Sequence, residues 1–141
     1  MEGLTLYAGI AEIDTYVDSS TYNDDISEQT VGFKYAVGSF TLGYQWSEEE
    51  NGRASTATKY SNDGYGVTFS VNDDLSIGYN HYESEQTSTT NVTEEATSIQ
   101  IAYTMGGASI RLAESQGDNI GYSTAATADR DMTTLSVSLA F

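Results

Sequence analysis

The sequence predicts an all-β chain: an antiparallel up-and-down transmembrane β-barrel, eight strands per chain, with short periplasmic turns and long extracellular loops. Three observations lead there. Apolar and small residues alternate with a period of two in eight separate segments, as strands with two unlike faces require. The connections between segments are alternately tight and long. Carboxylates, in a chain with 21 acidic and 5 basic residues, collect outside the alternating segments.

The first segment, GLTLYAGI, sets Leu4, Leu6, Ala8 and Ile10 against Thr5, Tyr7 and Gly9. TVGFKYAVG sets Val31, Phe33, Tyr35 and Val37 against Thr30, Gly32, Lys34 and Ala36. SFTLGYQWS follows with Phe40, Leu42, Tyr44 and Trp46 against Thr41, Gly43, Gln45 and Ser47. In GYGVTFSV the large residues are Tyr65, Val67, Phe69 and Val71, and in LSIGYNHY they are Leu75, Ile77 and Tyr79. TSIQIAYTM opposes Ile99, Ile101, Tyr103 and Met105 to Ser98, Gln100, Ala102 and Thr104; ASIRLAE opposes Ala108, Ile110 and Leu112 to Ser109, Arg111 and Ala113. The last segment, DMTTLSVSLAF, sends Leu135, Val137, Leu139 and Phe141 one way and Thr134, Ser136, Ser138 and Ala140 the other.

Segments two and three, four and five, and six and seven are joined by VGSF, VNDDL and MGGA, whose Gly, Asn, Asp and Ser suit tight hairpin turns. The other linkers are long and polar, roughly residues 14–28, 48–58, 83–95 and 115–130. An even number of strands with long and short connections at opposite ends is the layout of outer-membrane barrels. The whole chain, 1–141, reads as a single β-barrel domain.

Volume and charge decide which face is which. A closed ring of eight strands has room inside only for the side chains of its wall. The small-residue face is economical enough to point inward; nine rings such as Phe33, Phe40, Trp46 and Phe69 are not. A soluble surface carries about a quarter or more charged positions, yet among the segments above the small face is neutral apart from Lys34 and Arg111. The expected lumen-lining residues are therefore Lys34, Arg111, Gln45, Gln100, Asn80 and Tyr7. Trp46, Tyr44, Tyr60 and His81, near the long loops, and Phe40 and Phe141, near the short turns, are expected in aromatic girdles at the two membrane interfaces.

Other chemistry finds little support. A net charge of -16 argues against nucleic acid, whose phosphates need clustered Lys and Arg. Cysteine is absent and His81 is the only histidine, so no metal site, no cofactor and no catalytic residues are expected, and the chain is read as no enzyme. The acidic runs at 24–25, 48–50 and 94–95 could attract a hard cation, but their spacing is not that of an EF-hand loop. The opening MEGLTLYAG has neither the basic stretch nor the apolar run of a signal peptide.

The stretch IAYTMGGASIRLAESQGDNIGYSTAATADRDMTTLSVSLAF, with its Gly-Gly turn, ASI strand, acidic loop and terminal Phe, resembles the last strands of general porins from alpha-proteobacteria. The hairpins YAVGSFTLGYQW and GVTFSVNDDLSIGYNHY resemble the same family's meander. The resemblance implies a channel in the bacterial outer membrane, in contact with lipid and lipopolysaccharide, with Phe141 as the assembly signal read by the barrel assembly machinery. It also implies a homo-oligomer. Porins of that family form rings of about 16 strands, so half a ring is legible here: either a small barrel that closes on itself or the C-terminal part of a larger one. The function expected is passive diffusion of ions or small hydrophilic solutes with a preference for cations. A closed structural or binding outer-membrane barrel, and a soluble lipocalin-like ligand-binding barrel, are the alternatives.

Overall fold

A computed structural model describes residues 3–16, 21–22, 24–53 and 58–140. Phe141, expected as a girdle residue and assembly signal, lies outside them. The chain forms one sheet of eight strands in sequence order: β1 (Leu4–Ile13), β2 (Ile26–Val37), β3 (Phe40–Glu50), β4 (Lys59–Ser70), β5 (Leu75–Thr87), β6 (Val92–Met105), β7 (Ala108–Asp118) and β8 (Arg130–Leu139). Every neighbouring pair is antiparallel. A single turn of 3-10 helix, Ala126–Ala128, interrupts the β7–β8 connection, and no described helix is long and apolar enough to cross a membrane.

One expectation is corrected. The sheet is open: among the described residues β1 and β8 do not pair, so this chain is not a closed eight-stranded ring by itself. Alternation along a strand sets faces but not how many strands complete a circle.

The strand bounds also differ from the expected ones, all at the long-loop end. Residues 48–50, 83–87, 92–95 and 115–118 belong to strands rather than loops, leaving connections of residues 51–58, 88–91 and 119–129. Apolar alternation stops where the greasy band stops, whereas backbone pairing continues as long as both partners stay extended. At the other end the two-residue turns fall as expected. Gly38 and Gly106 open them with φ of 56° and 58°, the left-handed conformation that a hairpin turn demands of its first central residue. The Asn72 side chain holds the third turn by accepting from the Asp74 and Leu75 amides at 2.9 and 2.8 Å.

Among the described residues no second layer covers this sheet. Among the described residues the only buried apolar side chain is Ala128, while Leu6, Ile10, Ile99, Leu135 and Val137 are 60% exposed or more. A water-soluble domain buries one face of each sheet against another element. Here the apolar face is bare.

Candidate lumen face and apolar belt

The register assigns each side chain to a face. On one face, pairing carries Leu6 to Phe33, Tyr44, Tyr65 and His81 in a single row. From Leu4–Ile10 on β1 to Leu135–Leu139 on β8, the band of apolar residues on this face contains no charge. Immediately beyond it toward the long loops stand Glu12, Glu48, Asp63, Glu83, Glu95, Glu114 and Asp131. The boundary between grease and charge is sharp on nearly every strand.

The band runs obliquely to the pairing rows. Starting at Tyr7, the midpoint of the band on β1, the row passes through Gly32, Gln45, Gly64, Tyr82, Ala96 and Gly117 to Arg130. The band's midpoint on β8 is Val137, seven residues further along (137 less 130). Seven residues at about 3.3 Å each, over seven steps between strands at about 4.8 Å each, make a slope of about 35°. Strands of membrane barrels tilt by about 35–45° from the barrel axis. If the band is level in a bilayer, these strands have the tilt a barrel needs.

Aromatic side chains sit at both borders of this band. Tyr44 donates its hydroxyl to Asp63 Oδ1 at 2.5 Å, and Trp46 Nε1 donates to Ser61 Oγ at 3.3 Å, so both polar tips point out of the band toward the charged rim. His81 stacks on Tyr65 with ring centroids 4.9 Å apart. At the short-turn side Phe40 packs on Phe69 at 4.8 Å. Tyr65 completes the row, though sequence reading placed it only in the band. Tyr60, expected in the girdle, is on the other face, because it pairs with Glu49 and Gln86 out of phase with Trp46.

Lys34, Arg111, Gln45, Gln100, Asn80 and Tyr7 all lie on the opposite, small-residue face. A hollow of about 690 Å³ lies there, with Tyr7, Lys34, Gln45, Asn80, Asn62 and Tyr82 in its wall. Glycine makes the space. The Tyr7 hydroxyl crosses β2 to donate to Gln45 Oε1 on β3 at 3.0 Å, passing so close over Gly32 that a Cβ there would lie 2.3 Å from the phenol oxygen. Asn80 lies over Gly66 in the same way, and Gln100 over Gly78.

At the depth of the apolar band, the charges on this face are Lys34 and Arg111. Its carboxylates, Glu28, Glu49 and Glu94, stand near the long-loop ends of their strands. Among the described residues the ion pair is Lys59 Nζ with Glu48 Oε2 at 2.7 Å, and neither Lys34 nor Arg111 joins one.

Sequence reading missed a further element. The β7–β8 connection folds over the small face: Tyr122 packs on Tyr60 of β4, ring centroids 5.3 Å apart, and its hydroxyl meets Ser84 Oγ of β5 at 2.7 Å. Ser84, wholly buried, also donates to Asn62 Oδ1 at 2.6 Å. Gly121 N donates to Glu94 Oε2 at 2.7 Å, and Asn119 Nδ2 to the Thr93 carbonyl at 2.9 Å. These contacts hold Tyr122 at a φ of 55°, which a bulky residue adopts only when its surroundings impose it. Alternation carries no signal for such a fold, because a loop has no period.

Burial, reinforced by Tyr82, Glu94 and Tyr60 and opposed by the Ser84 contact, raises the Tyr122 pKa above the ordinary tyrosine value. A raised pKa means that folding favours the neutral phenol. Its contribution is complete below the unfolded tyrosine pKa of about 10 and is lost as pH climbs through the raised value. Proteolytic nicking within residues 119–129 is thus expected to stay slow to about pH 10 and to accelerate above it. In Tyr122→Phe, with no proton to lose, that acceleration should be absent.

The strand pleat divides the acidic runs at 48–50 and 94–95. Alternation puts Glu49 on the opposite face from Glu48 and Glu50, and separates Glu94 from Glu95. From the run at 24–25, Asp25 joins Glu12 and Asp14, with carboxylate oxygens within 4.8 Å of one another and Asp25 Oδ1 also accepting from the Thr15 amide at 2.9 Å. Hard cations take such oxygens, but exposed acids of this kind are common on rims. No protein-family model matches the chain, and no curated protein matches it.

Proposed function

We propose that this chain is the wall of an outer-membrane-type β-barrel whose apolar band faces lipid and whose small-residue face lines a water-filled path for ions and small hydrophilic solutes. The observation that carries this reading is the bare, charge-free band, bounded by tyrosine, tryptophan and carboxylates and inclined at about 35° to the pairing rows. A bare apolar patch of this extent needs an apolar partner, and hydrocarbon accepts it with no further contact. The chain then resides in the bacterial outer membrane, among lipid and lipopolysaccharide, after delivery by the barrel assembly machinery.

No chemistry is performed. Carboxylates at the long-loop end raise the local concentration of cations at the mouth, while Lys34 and Arg111 counteract that preference deeper in. The loop held by Tyr122 favours a second reading, a barrel too narrowed at its mouth to conduct, which serves as a structural or binding surface. Planar-bilayer recording separates the two. Stepwise cation-preferring current supports the channel, and a folded, inserted protein that carries no current ends it.

A further inference from the structure

β1 and β8, the two edges of the sheet, have no strand partner on their outer sides among the described residues. β1 and β8 are each ten residues long, the chain has no proline, and neither edge carries a charge between Thr5 and Ala11 or between Met132 and Ser138. These are not protected edges. If the membrane reading above holds, and this inference rests on it, their free N–H and C=O groups would lie in hydrocarbon, where every backbone group must be paired.

We propose that both edges pair with a second copy of this chain, β1 of each against β8 of the other, so that two eight-stranded sheets close one ring around a shared lumen. A single two-fold axis along the ring satisfies both edges at once. Direction permits it, because β1 and β8 run opposite ways in an up-and-down sheet of even strand number. Pairing β1 with β1 instead would invert one copy and put its acidic loops at the other's short-turn end. Closure of eight strands on themselves would leave room only for wall side chains, whereas here the β7–β8 connection already folds over the small face, with Tyr122 against Tyr60 and Ser84.

The slope of the apolar band specifies the seam. The band falls by about one residue per strand, so Tyr7 of one copy lies opposite Ser138 of the other, with Leu6 opposite Leu139, Ala8 opposite Val137 and Ile10 opposite Leu135. Greasy residues then meet on the outer face. On the inner face the large Tyr7 meets the small Ser138. Along Leu6–Ile13 and Met132–Leu139 each seam joins eight residue pairs, against ten in the β1–β2 pairing.

The chain has no cysteine, which makes the test direct. Ala8→Cys and Val137→Cys, prepared as separate variants, are mixed, folded together into vesicles and oxidised. A disulfide-linked dimer, absent when Ala8→Cys is mixed with Ile99→Cys, is the expected result. In the double variant Ala8→Cys/Val137→Cys, a linked dimer is again expected. A disulfide formed within one monomer would show an eight-stranded ring and overturn the proposal, and no disulfide in a folded, inserted sample would show that something else covers the edges. Protection of the strands from protease in the same vesicles is read separately. Loss of that protection would sink the membrane reading itself, whereas a protected protein without the interchain bond would sink only the pairing.

Discussion

Val67→Arg is expected to destabilise the inserted protein by about 2–4 kcal/mol, the cost of a guanidinium on the lipid face near the bilayer midplane, while Thr68→Arg, one residue along, costs far less. Val67 sits on the apolar face between Leu42 and Tyr79, three strands from the nearer edge, and Thr68 on the small face between Thr41 and Gly78. Helix, loop and turn effects are identical for neighbours in one strand. The difference between the two variants therefore isolates what each face touches. Urea unfolding in vesicles measures it, and equal losses from the two substitutions would contradict the assignment of faces.

Replacing both Lys34 and Arg111 by glutamate is expected to raise the cation-over-anion permeability ratio on the order of 10-fold, the lower end of what focused charge achieves in a low-dielectric passage. Both residues lie at mid-band depth on the small face and pair with no carboxylate among the described residues, so no described neighbour cancels their fields. Glu49→Lys, at the long-loop end of β3, should move the ratio the other way and by less, because salt screens exposed mouth charges within about 10 Å. Reversal potentials under a salt gradient report the ratio. An unchanged ratio in the double variant would show that current does not pass the small face.

Why one part of this architecture was legible and another was not follows from where period-two alternation applies. Phe33 and Lys34 reveal opposite faces because neighbours in a strand must diverge, and Gly38 and Gly106 reveal turns because the φ they adopt excludes most residues. Those rules are local. Glu48–Glu50 looked like loop because acids are poor strand formers, yet they pair with Ser27, Glu28 and Gln29 since the ladder propagates from the band below. Tyr60 was assigned to the wrong side of the wall for the same reason, as the band's alternation does not reach it. The contact of Tyr122 with Ser84 spans 38 residues and depends on a loop conformation without a sequence period. Ring closure is more remote still: nothing in one strand records how many others complete the circle.

The central claim concerns direction, and a cysteine scan tests it most directly. Single cysteines placed in the cysteine-free chain from Tyr65 to Ser70, spin-labelled and inserted into vesicles, report access to oxygen dissolved in lipid and to a nickel complex dissolved in water. The prediction is strict antiphase: labels at Tyr65, Val67 and Phe69 relax with oxygen, and those at Gly66, Thr68 and Ser70 with nickel. Oxygen access at the even positions, or no alternation at all, would contradict the account.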